Sequence, residues 1–457
     1  MSYGGMLRRS FGVAVGMVAF VAILVAAAAA GPVALLLGKS FTLVAGPPEN
    51  LGVGASVLGA DGTVWLAEPI SQPRSFEIVA RAANGRRLGP VIVSAQAGFE
   101  NAEPTISVSG ATATFAWFAS GDSTSTGDAV AVETRRCTPA GCQPTQTLTR
   151  WTSGNYSPGQ PVLAESKGRT VVVFNQGDAN GSEVMWAQSD GGAFGPVRPI
   201  AQAPAIGVVP NAWLFDDPVL VTEASGRILA AWPNFGGASF AVSWSSWSAK
   251  GGFTPPRTLP GGAGTYAGDL VAAPDGSGAA LAWIQGSNVT DPGLIAEPVW
   301  VARQNAQGFA KPTRVFGGYA FSLSLAGGGD VTALAFNTAK AAGLDGDSDG
   351  PVLVARSVDD APFRTMTLTA NAAPYPTASV NSVGETLVTW NRQTLYPQTP
   401  TSTAEIAIAA PHGTFSSPET LGSELFDDSP NVHTVSSRSL VVWQAAPGIA
   451  QATLVTP

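Results

Sequence analysis

A short apolar stretch ending in one large aromatic recurs eight times along the chain, at Trp65, Trp117, Phe174, Trp232, Trp283, Phe336, Trp390 and Trp443. Successive intervals are 52, 57, 58, 51, 53, 54 and 53 residues. A period of this size belongs to repeat architectures, in which one supersecondary unit is stacked on copies of itself. Each interval divides in the same way. In the fourth, 218–223 reads as a strand, a turn carries Gly226, and 228–232 is a more apolar strand bearing the aromatic. Residues 240–245 form a third strand and 256–259 a weaker fourth. Glycine occupies the first turn at Gly62, Gly110, Gly168, Gly226, Gly276, Gly329 and Gly384, where a left-handed backbone costs glycine little. The second hairpins carry an aromatic followed by proline, as in Phe194 with Pro196 and Phe309 with Pro312, and proline suits an outer edge strand.

Four-stranded antiparallel meanders at this spacing, with no helical pattern between them, predict an all-β chain folded as a β-propeller. The count is eight blades, or seven if one repeat is aberrant. The last repeat offers only three strands, whereas 40–44 near the N-terminus looks like a strand without a partner. Pairing the two latches the ring and removes both free edges. In such a ring the large aromatics fill the spaces between blades and do not line a ligand cage.

Arg8 and Arg9 precede an apolar run over 11–38, which is long enough to span a bilayer as a helix. Small residues at 26–30 suit signal peptidase, and the arginines partly match a twin-arginine signal. The expectation is a signal peptide or membrane anchor over 1–38 and one propeller domain over 39–457, held outside the cytoplasm or at the outer face of its membrane. The two cysteines, Cys137 and Cys142, flank Pro139 and Gly141, so a disulfide across a hairpin tip is expected in an oxidising compartment. Charged residues are only 12% of the chain and the net charge is −8, with no basic run, which excludes a nucleic-acid partner.

Fourteen to sixteen residues before each aromatic, at the entry to the first strand, stand Asn50, Glu103, Gln160, Asp217, Asp269, Phe321, Tyr375 and Asp428. All but Phe321 form a candidate ligand-binding rim, an acidic funnel for a cation or polar ligand. The competing reading is that Asp and Asn simply turn the chain before a strand. A loop on the same side, 345–350, has the spacing Asp-x-Asp-x-Asp-Gly, so Asp345, Asp347 and Asp349 are candidate calcium ligands. Arg356 stands where a complete calcium loop has its last glutamate, which leaves a solvated acidic loop as the alternative. No nucleophile–base pair emerges, because His412 and His433 lack a Gly-x-Ser-x-Gly partner.

The second hairpins resemble the Asp-box hairpins of sialidases, whose pattern is Ser-x-Asp-x-Gly-x-Thr-Trp. The nearest match is Ser189-Asp-Gly-Gly-Ala-Phe194; Ser248-Ala-Lys-Gly-Gly-Phe253 lacks the Asp. The resemblance implies a propeller. A sialidase would also need three arginines and a Tyr–Glu pair; Tyr375 and Asp269 are conceivable participants, and no Arg-Ile-Pro string is present. The expected function is therefore a non-catalytic, exported binding module acting through one loop-rich face on an unidentified protein or glycan. The alternative is a sialidase-like glycoside hydrolase.

Overall fold

The structure is a computed structural model of the chain. It describes residues 36–37, 40–45, 55–70, 75–82, 84–90, 92–94, 104–124, 127–152, 160–178, 181–202, 218–236, 239–259, 266–286, 297–338, 350–370, 375–394, 401–423, 430–446 and 449–456. Among these residues there are strands and turns and no helix. Leu36–Leu37, the only described part of the apolar run 11–38 read as an export helix, is instead a strand. It has ladder partners in Thr456 and Val455, which satisfy its backbone as a helix would.

The strands form meander units in chain order. The first contains Ala55–Leu58, Thr63–Ile70, Ser75–Ala82 and Ile92–Ser94. The second contains Thr105–Ser109, Thr112–Thr124, Gly127–Thr138 and Gln146–Thr152. The third runs Val162–Ser166, Arg169–Asp178, Gly181–Ser189 and Arg198–Gln202; the fourth runs Val219–Thr222, Ile228–Gly236, Ser239–Ser248 and two short outer pieces. The seventh runs Thr377–Val380, Thr386–Thr394, Thr401–Ala409 and Glu419–Ser423.

The fifth and sixth units depart from the expected separation. Thr313–Gly328 pairs through its first part with Glu297–Asn305 and through its second with Val331–Thr338. One strand thus serves as the outer strand of the fifth unit and the first strand of the sixth, and the two share a single eight-stranded sheet. The eighth unit consists of Asn431–Val435, Arg438–Ala446 and Ile449–Thr456. Its fourth place is filled from the other end of the chain, where Phe41–Ala45 pairs antiparallel with 449–452.

First strands of neighbouring units touch in order from the first to the eighth, and Asn431–Val435 of the eighth touches Ala55–Leu58 of the first. They pack closely: a Cβ on Gly327 would lie 1.7 Å from the carbonyl oxygen of Pro274. Gly62, Gly110, Gly168, Gly226, Gly276, Gly329 and Gly384 all have positive φ, as their turns require.

The core lies between units. Along each second strand side chains alternate between the two sheet faces. Trp117, Phe174, Trp232, Trp283, Phe336, Trp390 and Trp443 each pack into the cluster shared with the preceding unit. Trp65 does not belong to this series. It lies three residues after Gly62, whereas Trp117, Phe174, Trp232, Trp283, Phe336 and Trp390 lie six or seven after their glycine, and Trp443 seven after Ser436, which takes the positive φ in the glycine-free turn of the eighth repeat. It packs on the opposite face, against Phe115 of the following unit, with ring centroids 6.1 Å apart. The position in the first unit that matches the seven anchors, four residues past the close of the turn as in Trp232 and Trp390, is Glu68. The second-hairpin aromatics repeat more faithfully. Phe253 meets Trp186 and Phe309 meets Trp244 edge-to-face at 5.3 Å, each reaching back to the preceding unit.

Candidate functional site

A cavity of about 510 Å³ lies among the first strands of units one to six. Most of its lining residues are apolar, Ile106, Leu163, Leu220 and Leu323 among them, but polar atoms make up about half of its exposed wall. Its hydroxyls are engaged by the protein. Thr105 Oγ1 donates to the carbonyl of Pro161 at 2.6 Å, and Ser324 Oγ accepts from the N–H of Ala378 at 2.9 Å. Among the described residues the wall includes no carboxylate, histidine, lysine or arginine.

The candidate rim is placed in part. Gln160 is half-buried and lines the cavity. Asp269 and Tyr375 stand two residues before Val271 and Thr377, which occupy matching rungs of their ladders; Ser322 holds the same place before Ser324. All three take the left-handed conformation, with φ of +52° at Asp269, +50° at Ser322 and +66° at Tyr375. Non-glycine residues there carry strain of order 1–2 kcal/mol each. Asp269 accepts the backbone N–H of Ser322 at 2.8 Å, which ties the entries of the fifth and sixth units. Burial pushes its carboxyl above the usual range, against the lowering effect of N–H donors from Ser322 and Leu323. The side chain nevertheless keeps an exposed edge, so water screens much of that effect. Tyr375 is 57% exposed. Asp269 and Tyr375 are each engaged or oriented singly, and no contact joins them. Asn50, Glu103, Asp217 and Asp428 lie outside the described residues, as do Asp345, Asp347 and Asp349. Among the described residues no three potential metal ligands converge.

Cys137 and Cys142 form a disulfide across the hairpin tip, and they are also ladder partners. The Asp-box-like hairpin is held from several sides. Ser189 Oγ donates to the Gly192 carbonyl at 2.6 Å, Asp190 pairs with Arg169 at 2.9 Å, and Phe194 exchanges two hydrogen bonds with the Gln146 amide.

Three groups of ionisable side chains take up places that the sequence did not assign to them. Arg356 is buried, and among the described residues no carboxylate pairs with it. Its guanidinium donates to the carbonyls of Ala410 and Pro411 at 2.6 Å, Gly413 at 3.0 Å and Gly384 at 3.3 Å, all in turns of the seventh unit. Burial pulls its pKa down to about 10. Glu68 is buried beside Arg81 at the long distance of 3.8 Å and directly across the ladder from Glu77. Burial raises its pKa to about 7; Arg81 opposes the shift and Glu77 adds to it. His433 Nε2 meets Ser56 Oγ at 2.6 Å, and burial lowers the imidazole to about 4. The unequal glycine-to-aromatic counts would have exposed Glu68; nothing local marks the other two groups.

No family model matches this chain, and no curated protein matches it. Solved structures resemble it only distantly. The polysaccharide lyase Uly1 is 8% identical, with 92% of this chain and 99% of that one covered and a TM-score of 0.46. An ulvan lyase of a new polysaccharide lyase family is 12% identical, with 91% and 95% covered and a TM-score of 0.45. The Trypanosoma rangeli sialidase is 12% identical, with 67% and 56% covered and a TM-score of 0.35. Likenesses at this level assign no activity to the chain.

Proposed function

We propose that the chain is an exported eight-bladed β-propeller, closed by its N-terminal strand, that binds a protein or glycan ligand through one loop-rich face without catalysis. The observation that carries this reading is the cavity itself, a space large enough for a small ligand and lined by the first strands of six units. The left-handed entries at Asp269, Ser322 and Tyr375 hold one arc of the rim in a fixed, strained shape, as preorganised binding sites do. The disulfide fits an oxidising compartment. In this reading 1–38 carries the export signal, and cleavage near residue 30 leaves Leu36–Leu37 to pair with the last strand.

The body from residue 31 onward should retain ligands on a glycan array and leave sialidase substrates intact. Turnover of such a substrate would replace this reading with the glycosidase one. Calcium is part of the same proposal, through Asp345, Asp347 and Asp349. Chelator should then lower the melting temperature and millimolar calcium restore it, and an unchanged melting temperature removes calcium from the proposal.

A further inference from the structure

The contact between the first and eighth units differs chemically from every other unit contact. Seven interfaces are filled by a Trp or Phe reaching back to the preceding unit. At the eighth, Leu58, Val64, Leu66 and Val79 of the first unit meet Leu43, Leu440, Val442, Ala450 and Ala452. Glu68 stands in the anchor place there, on the same strand face as Val64 and Leu66. Its Oε1 and the Nε of Arg81 are buried without a hydrogen bond among the described residues. His433 faces the same interface from the other side, since it shares a strand face with Val435 and bonds Ser56 across it.

The ionisable groups on this interface are few. The first unit contributes Glu68, Glu77, Arg81 and, directly across from Arg81, the exposed Arg87. The eighth contributes His433 and, at its exposed turn, Arg438. The described part of its paired N-terminal strand contributes none.

We infer that this seam is compensated against pH: it closes on the protonated form of Glu68 and the neutral form of His433, so that the two groups oppose each other as pH changes. Glu68 binds its proton up to about pH 7 when the seam is closed and up to about 4.5 when it is open. Rising pH through that window therefore favours opening. His433 is neutral down to about pH 4 when closed and to about 6.5 when open. Rising pH through its window favours closing. Between pH 4.5 and 6.5 the windows overlap and the slopes have opposite sign, so the closed seam is insensitive to pH across an acid range that an exported protein meets.

The inference rests on the closed-ring reading, and hydrogen exchange tests the two separately. Protection is followed at 64–66 and 440–442, with 171–174 of the third unit as the internal reference. In the wild-type chain the seam-to-reference ratio should change by less than about threefold between pH 5 and 6.5. In Glu68→Gln, where only His433 titrates, seam protection should rise roughly tenfold over that range. In His433→Asn it should fall roughly tenfold, because one titrating proton changes the constant by up to a factor of ten per pH unit. A tenfold drift in the wild type overturns the inference, as do variants that both stay flat or move in the same direction. If either variant fails to fold, the wild-type ratio and the other variant still decide. Unprotected amides throughout 41–45 and 449–456 at every pH would instead remove the closed ring.

Discussion

Trp390 donates its indole N–H to Glu405 Oε2 at 2.9 Å, and both side chains are buried. They face each other across the second and third strands of the seventh unit, and Arg392 reaches the other carboxylate oxygen at 3.1 Å. The anchor here does two jobs, filling the space against the sixth unit and satisfying a buried carboxylate. Trp390→Phe should cost about 1–3 kcal/mol, the penalty of an orphaned buried acceptor. Trp390→Ala should cost about 3–5 kcal/mol, because a cavity is added. Urea unfolding of the two variants separates these contributions; a Trp390→Phe chain as stable as the wild type would mean that the hydrogen bond contributes nothing.

Arg356 joins the sixth unit to the seventh through four carbonyls. Arg356→Met keeps the apolar stem and strands the carbonyls, so a loss of about 2–4 kcal/mol is expected in urea unfolding. Arg356→Lys should recover only part of it, since an ammonium cannot reach across acceptors set out for a planar fork.

Glu385 is buried in the first turn of the seventh unit and accepts from Asn381 Nδ2 at 3.0 Å. Burial raises its carboxyl pKa, with the Asn381 hydrogen bond pulling the other way. A raised folded pKa gives stability that is complete below about 4.5 and declines as pH rises. Glu385→Gln keeps an acceptor for Asn381 and removes the titration. Its melting temperature should exceed that of the wild type at pH 8 and match it at pH 4. A constant gap between the two chains would show that Glu385 does not titrate abnormally.

The disulfide closes a loop with a sequence separation of 5. Chain-entropy arithmetic for so short a loop gives about 2 kcal/mol, so Cys137→Ala with Cys142→Ala should leave a folded protein with a modestly lower urea midpoint. Failure to fold would mean that the hairpin tip matters beyond its cross-link.

The repeat was legible because it is written in residue types with narrow physical preferences. Glycine at the first turn reports a positive φ, and the Phe of the second hairpins reports a pocket in the preceding unit. The unpaired segment near residues 40–44 was readable because an apolar strand must find a ladder somewhere. Trp65 misled because counting aromatics alone ignores which sheet face each one occupies; the distance from Gly62 carries that information. The shared strand Thr313–Gly328 was hidden because Gly317-Gly318 reads as a break in a sequence that in fact continues extended. The acceptors around Arg356 lie 28 to 57 residues away, too distant for a local pattern to reveal. Of the rim, only Gln160, Asp269 and Tyr375 fall within the described residues.

Thr313–Gly328 gives the molecule a mechanical asymmetry. Elsewhere one unit ends before the next begins, so a nick in the intervening connection leaves whole sheets on either side. A nick near Gly317 severs one backbone rail that two units hold in common. The fifth and sixth units are therefore expected to come apart together under load, as a single domino twice the width of the rest.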